Sequence, residues 1–299
     1  MKNPLLLLIF ATICLAATAQ KNNPKKEEWE QMFNGKDLNG WDIKIAGQPL
    51  NDNYKNTFRV KEGILQIAYD EYEAFNGKYG HLYYNKPYSY YKLRFQYRFV
   101  GNQTKGGASW NVRNSGVMLH SQSAASLSFG QDFPVSLELQ MLGGLGKGER
   151  HTANLCTPGT QVYIKGKLNT QHCIDSWSKT YDGDQWVTIE ALVLGDSLIQ
   201  HRIDNKVVFE YERPQIGGGF VSNDYSWKDA HVDEAAAQEW IKKDGTPLTE
   251  GYIALQAESH PIEFKKVEIL NLKGCMDPKA VNYKSYYIKA DNTLCEYKR

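Results

Sequence analysis

The run Trp186-Val187-Thr188-Ile189-Glu190-Ala191-Leu192-Val193-Leu194 is followed by Ser197-Leu198-Ile199-Gln200-His201-Arg202-Ile203 and then, after Asp204-Asn205, by Val207-Val208-Phe209-Glu210-Tyr211. These are short runs rich in β-branched and aromatic residues, bounded by Gly, Asp and Asn, and they read as strands. Asp204-Asn205 is a turn pair fit for a hairpin. The same pattern recurs outward, at 63–68, 91–100, 116–120 and 136–142, and 251–257 and 262–272 read as a closing pair of strands. From 32 to 272 the chain therefore carries the all-β signature of a sandwich or barrel. One stretch reads as a helix. Residues 233–243 begin with Asp233-Glu234, end with Lys242-Lys243 and hold good helix formers between. Gly217-Gly218-Gly219 and Gly245 flank it, so it is expected as a short surface element near one end of the sheets.

The ends differ from this body. Lys2 precedes an apolar stretch over residues 5–15, too short to span a bilayer, and Ala17-Thr18-Ala19 supplies the small-x-small pattern of a cleavage site. Residues 1–19 are expected to be a signal peptide, with cleavage near Ala19 and a secreted or periplasmic product. Bulky Ile13 before Cys14 argues against a lipoprotein. Residues 20–31 read as a polar leader without structure. The formal net charge is +1 with no basic stripe, which argues against a nucleic-acid partner, and no further run is long enough for a membrane span.

Without Cys14, four cysteines remain, and an oxidising compartment allows three pairings. Proximity favours Cys156 with Cys173 and Cys275 with Cys295. Each pair closes a loop of about twenty residues and is worth roughly 3 kcal/mol in the chain-entropy treatment. Zinc is the alternative, but no Cys-x-x-Cys occurs. The segment 274–299 is then a small disulfide-closed appendage with little core of its own.

Three polar clusters stand out. In Ser136-Leu137-Glu138-Leu139-Gln140-Met141-Leu142, strand alternation puts Glu138 and Gln140 on one face and Leu137, Leu139 and Met141 on the core face. A carboxylate beside an amide suits sugar hydroxyls or general-base work; the plainer reading is a solvated outer face. In Asn114-Ser115-Gly116-Val117-Met118-Leu119-His120, Val117 and Leu119 point inward, leaving Gly116, Met118 and His120 opposite. His120 is a candidate acid or base, against a purely structural role. In Leu255-Gln256-Ala257-Glu258-Ser259-His260-Pro261 a strand ends in three polar groups, Gln256, Glu258 and His260, with Pro261 fixing the turn; an ordinary polar loop would look the same. Glu149-Arg150-His151 and the loop 156–160 follow the Glu138 strand and fit the rim of a pocket. There is no Gly-x-Ser-x-Gly elbow, His-Glu-x-x-His helix or dinucleotide fingerprint.

Several of these residues resemble a known family. Phe33-Asn34-Gly35-Lys36-Asp37-Leu38-Asn39-Gly40-Trp41, the Asn114-Ser115-Gly116-Val117 strand, Glu138-Leu139-Gln140 and Gly251-Tyr252-Ile253-Ala254-Leu255-Gln256 are similar, in the same order, to the 3-keto-disaccharide hydrolase family. The resemblance runs from about 32 to 272. It implies a concanavalin-like jelly-roll sandwich of two antiparallel sheets with a ligand cleft on the concave one. It also implies activity on glycosides already oxidised to a ketone at sugar carbon 3. The segment from Gly274 to Tyr283 is similar to tails at the ends of secreted proteins from the Bacteroidetes group.

A ketone at carbon 3 acidifies the hydrogen at carbon 2, because the carbanion delocalises into the carbonyl. A base can remove that proton, the carbon 1 substituent leaves by β-elimination, and water adding across the double bond gives net hydrolysis. On this reading Glu138 or His260 is the base, with His120 as a third catalytic candidate. Gln140, Arg150, His151, Gln256 and Glu258 are candidates to bind the sugar. Two alternatives remain. A laminarinase-like glycosidase needs two carboxylates on one strand, and here Gln140 and apolar residues follow Glu138. A lectin-like module would bind carbohydrate without cleaving it. No cofactor is firmly implied, although clustered Glu, His and Gln could hold a divalent metal.

Overall fold

The computed structural model describes residues 25–218 and 226–298. The expected signal peptide and the start of the leader lie outside the described residues. Among those described, two large antiparallel sheets face each other, one of ten strands and one of seven, with a single α-helix, Glu234–Ile241. This is the all-β sandwich of two antiparallel sheets that the resemblance implied, and one of the two all-β architectures that the strand pattern allowed.

Alternation builds the interface between the sheets. Along Tyr90–Phe99, Tyr91, Leu93, Phe95, Tyr97 and Phe99 are buried while every second residue is half-exposed. Its neighbour Val187–Leu194 repeats the pattern and pairs in register from Val187–Tyr97 to Leu194–Tyr90. The seven-stranded sheet contributes Val117, Leu119, Leu137, Leu139, Met141 and Leu255 to the same core. Each large apolar side chain so buried contributes roughly 1.5–3 kcal/mol.

The seven-stranded sheet runs in the order Cys173–Ile174, Asn154–Cys156, Leu137–Leu142, Asn114–Ser121, Tyr252–Ala257, Gly80–Tyr84, Trp41–Ile45. Its outer face carries the site described below. The helix, whose Ala237 is buried against Val135, Ile216, Ala230 and Val232, anchors to a small satellite core at one end. The two cysteine pairs are disulfides, Cys156–Cys173 and Cys275–Cys295. The first links directly opposed residues of neighbouring strands.

Two expectations need correction. The last residues of the leader are structured: Glu30–Gln31 pairs with Ile269 and Glu268, and the Arg94 guanidinium lies 4.2 Å over the Trp29 ring. The sequence signal was weak because this strand is two residues long and exposed. The strands expected as a closing pair, Tyr252–Ala257 and Ile262–Asn271, lie in different sheets. The short segment between them crosses from one sheet to the other. Ser259, at its middle, adopts a left-handed backbone (φ 75°). Its N–H donates to the Tyr69 hydroxyl at 2.9 Å, and Gln103 donates to its Oγ at 2.9 Å.

Candidate functional site

Strand register decides which side chains meet on the outer face. Glu138 stands opposite Met118, and Gln140 opposite Gly116. On the other side of the Asn114–Ser121 strand, Leu255 pairs with Val117 and Ala254 with Met118, which puts Gln256 beside Gly116 and Glu258 beside Asn114. Gln256 in turn pairs with His81. A band of polar groups therefore crosses the sheet: His81, Gln256, the gap over Gly116, and Gln140, with Glu258 and Asn114 one step along the strands.

The gap at Gly116 is filled by a neighbour. The Glu138 carboxyl leans over this glycine so closely that a Cβ there would stand 2.4 Å from Oε1. Glu138 thus reaches toward the strand that bears Glu258. Both are nearly inaccessible, at 6% and 3% exposure. Burial raises the Glu138 pKa. Burial, then the charge of Glu138, raises that of Glu258 well above the usual carboxylate range, against the opposing pull of Arg150. Two buried carboxyls, one raised further by the other's charge, favour retaining a proton.

Above the pair lies a cavity of about 400 Å³. Its polar lining includes Glu138, Glu258, Asn114, Gln140 and Arg150. Arg150 is pinned by one nitrogen: Nη1 donates to the carbonyls of Val112 at 2.7 Å and Gly143 at 2.7 Å. Gln140 Oε1 accepts from Asn154 Nδ2 at 3.2 Å. Several buried polar atoms here have no partner among the described residues: Glu258 Oε2, Asn114 Oδ1, both amide atoms of Gln256, and His81 Nε2. Buried polar groups are ordinarily satisfied, so a concentration of unsatisfied ones on one sheet face marks a place built to receive a polar ligand.

Of the residues singled out in the sequence, Glu138, Gln140, Arg150 and Glu258 are brought together at this cavity, and Gln256 lies beside them on the same face. The remaining three lie elsewhere. His120 sits between the sheets, with Nε2 3.0 Å from the Gly195 carbonyl oxygen and its ring edge-on to Tyr91. The cause is a β-bulge: register shifts between Tyr252 and Ala254, and His120 takes φ 49°, which turns its side chain away from the Met118 face. Burial lowers its pKa to about 4. His260 is also enclosed, edge-on to Phe99 at 5.6 Å, with neither ring nitrogen partnered among the described residues. Burial, then Arg113, lowers its pKa to about 4. His151 is directed away from the cavity, its Nδ1 bound to the Ser178 carbonyl and its Nε2 3.8 Å from Glu149. None of these three histidines lines the cavity.

The structure adds residues that the sequence reading passed over. His81 belongs to Gly80–Tyr84, where all five residues are buried and no alternation singles it out. Burial lowers its pKa to about 3. Trp110, Phe133 and His172 reach the cavity from turns and loops. Cys156, His172 and Cys173 form a cluster of metal-type donors. Because the two sulfurs are bonded to each other, they are not free to bind an ion.

No curated protein matches the chain. Among solved structures it is similar to a putative glycosyl hydrolase from Parabacteroides distasonis, at 15% identity over 82% of this chain and 100% of that one, with a TM-score of 0.47. It is also similar to LamA from Zobellia galactanivorans bound to laminaritriose and laminaritetraose (11% identity, 82% and 98% covered, TM-score 0.44). A third is a carbohydrate-binding module from Bacillus subtilis (10% identity, 78% and 96% covered, TM-score 0.40). The sequence profile of the 3-keto-alpha-glucoside-1,2-lyase-like domain matches residues 28–270, from just before the Glu30–Gln31 strand to the end of the sandwich. The chain belongs to the 3-keto-alpha-glucoside-1,2-lyase-like family.

Proposed function

We propose that this protein is an exported enzyme that cleaves 3-keto-glycosides by abstracting the carbon 2 proton and eliminating the carbon 1 substituent. One observation carries the reading: two buried carboxyls, Glu138 leaning over Gly116 and Glu258 close enough to feel its charge, line one sugar-sized cavity. Two disulfides fit an oxidising compartment outside the cytoplasm.

The pair has what the elimination needs. One carboxylate takes the proton from carbon 2, and the electrons pass into the carbon 3 carbonyl as an enolate. When they return, the carbon 1–oxygen bond breaks and a carbon 1–carbon 2 double bond forms. The carboxyl that kept its proton delivers it to the departing oxygen. A raised pKa serves both roles, because a base and an acid near the working pH transfer protons with least penalty. Glu138, which leans into the cavity, is assigned as the base and Glu258, beside Arg150, as the acid. Asn114, Gln140, Gln256 and Arg150 supply hydrogen bonds to ketone and hydroxyl oxygens, and charge on the enolate oxygen is where such donors count most.

The test is turnover of a 3-keto-glucoside by the wild type, Glu138→Gln and Glu258→Gln, with the unoxidised glucoside alongside. Loss of at least a hundredfold in each variant, with no cleavage of the unoxidised sugar, is expected. Full activity in both variants overturns the assignment. Equal cleavage of both sugars would instead indicate a direct glycosidase using the same carboxyls. Saturable binding of unoxidised glycans without turnover would indicate a lectin.

A further inference from the structure

The cavity has two kinds of wall. Its floor is polar, but much of its rim is apolar: Trp110, Phe133, Pro158 and the Cys156–Cys173 disulfide. A lone exposed tryptophan needs no explanation, and Trp110 is 53% exposed. Its setting is what singles it out. The Trp110 ring lies nearly parallel to Tyr79, at 10° and 6.3 Å. Tyr79 is itself wedged between Phe75 at 4.9 Å, edge-on, and Phe133 at 4.7 Å. Trp110 thus lies offset against the edge of a packed aromatic cluster and lines the cavity with its indole, an apolar surface on which a flat ring can lie.

The rim offers few polar groups. His172 is one, with Nδ1 buried and unpartnered among the described residues. A second sugar ring placed against this rim would leave most of its hydroxyls without partners, at a cost for each one desolvated. An aromatic ring would not. Resting on the elimination reading above, we propose that the preferred substrates carry an apolar, aromatic aglycone, its ring laid on Trp110 while the oxidised sugar occupies the carboxyl floor. The departing group is then an aromatic alcohol: its oxygen receives the proton from the carboxyl pair, and the sugar leaves as the carbon 1–carbon 2 unsaturated ketone. No oxidant or reductant is consumed.

The experiment compares 3-keto-glucosides bearing methyl, benzyl and glucosyl groups. Methanol and benzyl alcohol are similar in acidity, so a difference between those two reports binding rather than leaving-group chemistry. In the wild type, kcat/KM for benzyl should exceed that for methyl by roughly tenfold, the worth of one good aromatic contact. Trp110→Ala should abolish this preference by raising KM for the benzyl substrate far more than for the methyl one, and be partly rescued by Trp110→Phe. An equal loss on methyl and benzyl substrates, or a wild-type preference for glucosyl, overturns the proposal. Binding of unoxidised benzyl and methyl glucosides is followed in parallel by fluorescence, with Trp110→Phe as reference. Saturable binding of benzyl glucoside together with no turnover of any of the 3-keto-glucosides would refute the elimination chemistry while supporting the aromatic site. No benzyl preference in either measurement would refute the site itself.

Discussion

Gly116→Ala is the most direct probe of the carboxyl pair, because it adds one methyl group and no charge. Gly116 has ordinary extended backbone rather than a left-handed one, so alanine fits the main chain. The space is the difficulty. The new Cβ would lie 2.4 Å from Glu138 Oε1, 2.6 Å from Cγ and 2.8 Å from Cδ. Non-bonded carbon atoms rest at about 3.5–4.0 Å, so the carboxyl must retreat by roughly 1 Å. A displacement of that size in a reacting group costs on the order of a hundredfold in rate. Stability should change far less. Alanine restricts the unfolded chain by about 0.4–1 kcal/mol in favour of folding, against an overpacking penalty of about 1–3 kcal/mol. The assay is kcat/KM on a 3-keto-glucoside together with thermal unfolding, in wild type, Gly116→Ala, Glu138→Gln and the double variant. Gly116→Ala should lose about a hundredfold with Tm within a few degrees of wild type. Added to Glu138→Gln it should lose little more, since the group it displaces is already disabled. A folded Gly116→Ala enzyme with wild-type kcat/KM would refute the placement of Glu138 at the reacting carbon.

Two further outcomes follow from the buried titratable groups. Burial raises both carboxyls above the ordinary value of 4.5, and at Glu258 the charge of Glu138 adds to it, so the fold favours a proton that the unfolded chain has released. That stability is fully present below about pH 4.5 and is lost as pH rises through the folded pKa values. Glu258→Gln should therefore raise Tm at pH 8 and leave it nearly unchanged at pH 4; an equal shift at both would contradict this. His120→Ala should leave kcat intact while destabilising the fold by about 2–4 kcal/mol through the emptied space and the unpartnered Gly195 carbonyl. Since burial holds the folded His120 pKa at about 4, its contribution is present above the ordinary value of 6.5 and lost as pH falls toward 4. The variant should accordingly unfold with a shallower acid dependence, and loss of kcat without loss of stability would return His120 to the site.

What the sequence made legible was whatever alternation encodes. Val187, Ile189, Ala191 and Val193 point inward as their spacing requires, and Glu138 and Gln140 point outward between Leu137, Leu139 and Met141. That same parity failed at His120, because a bulge inserts a residue and reverses the faces, and histidine carries no signal for a left-handed backbone. It could not find His81 either: both faces of Gly80–Tyr84 are covered, so all five positions are buried alike. The meeting of Glu138 with Glu258 is a matter of register between strands more than a hundred residues apart in the chain, set by Leu255 against Val117 and Met118 against Glu138. Gly116 gave a local hint, since a glycine inside a strand marks close approach by something. What approached it was not readable without the pairing.

The crossing after Tyr252–Ala257 is what brings a second carboxyl, rather than an imidazole, to the cavity on the proposed reading. Ala257 still pairs with Gly80 in one sheet, and Ile262 already pairs with Phe99 in the other, so the chain must change layers within four residues. Ser259 makes the change, held in a left-handed backbone by the Tyr69 and Gln103 hydrogen bonds. The residue before it keeps the outward direction of Gln256, and Glu258 lands beside the Glu138 carboxyl. The residue after it, His260, is turned edge-on against Phe99 and does not line the cavity. Burying two carboxyls costs several kcal/mol, and this fold bears that cost where both line a cavity.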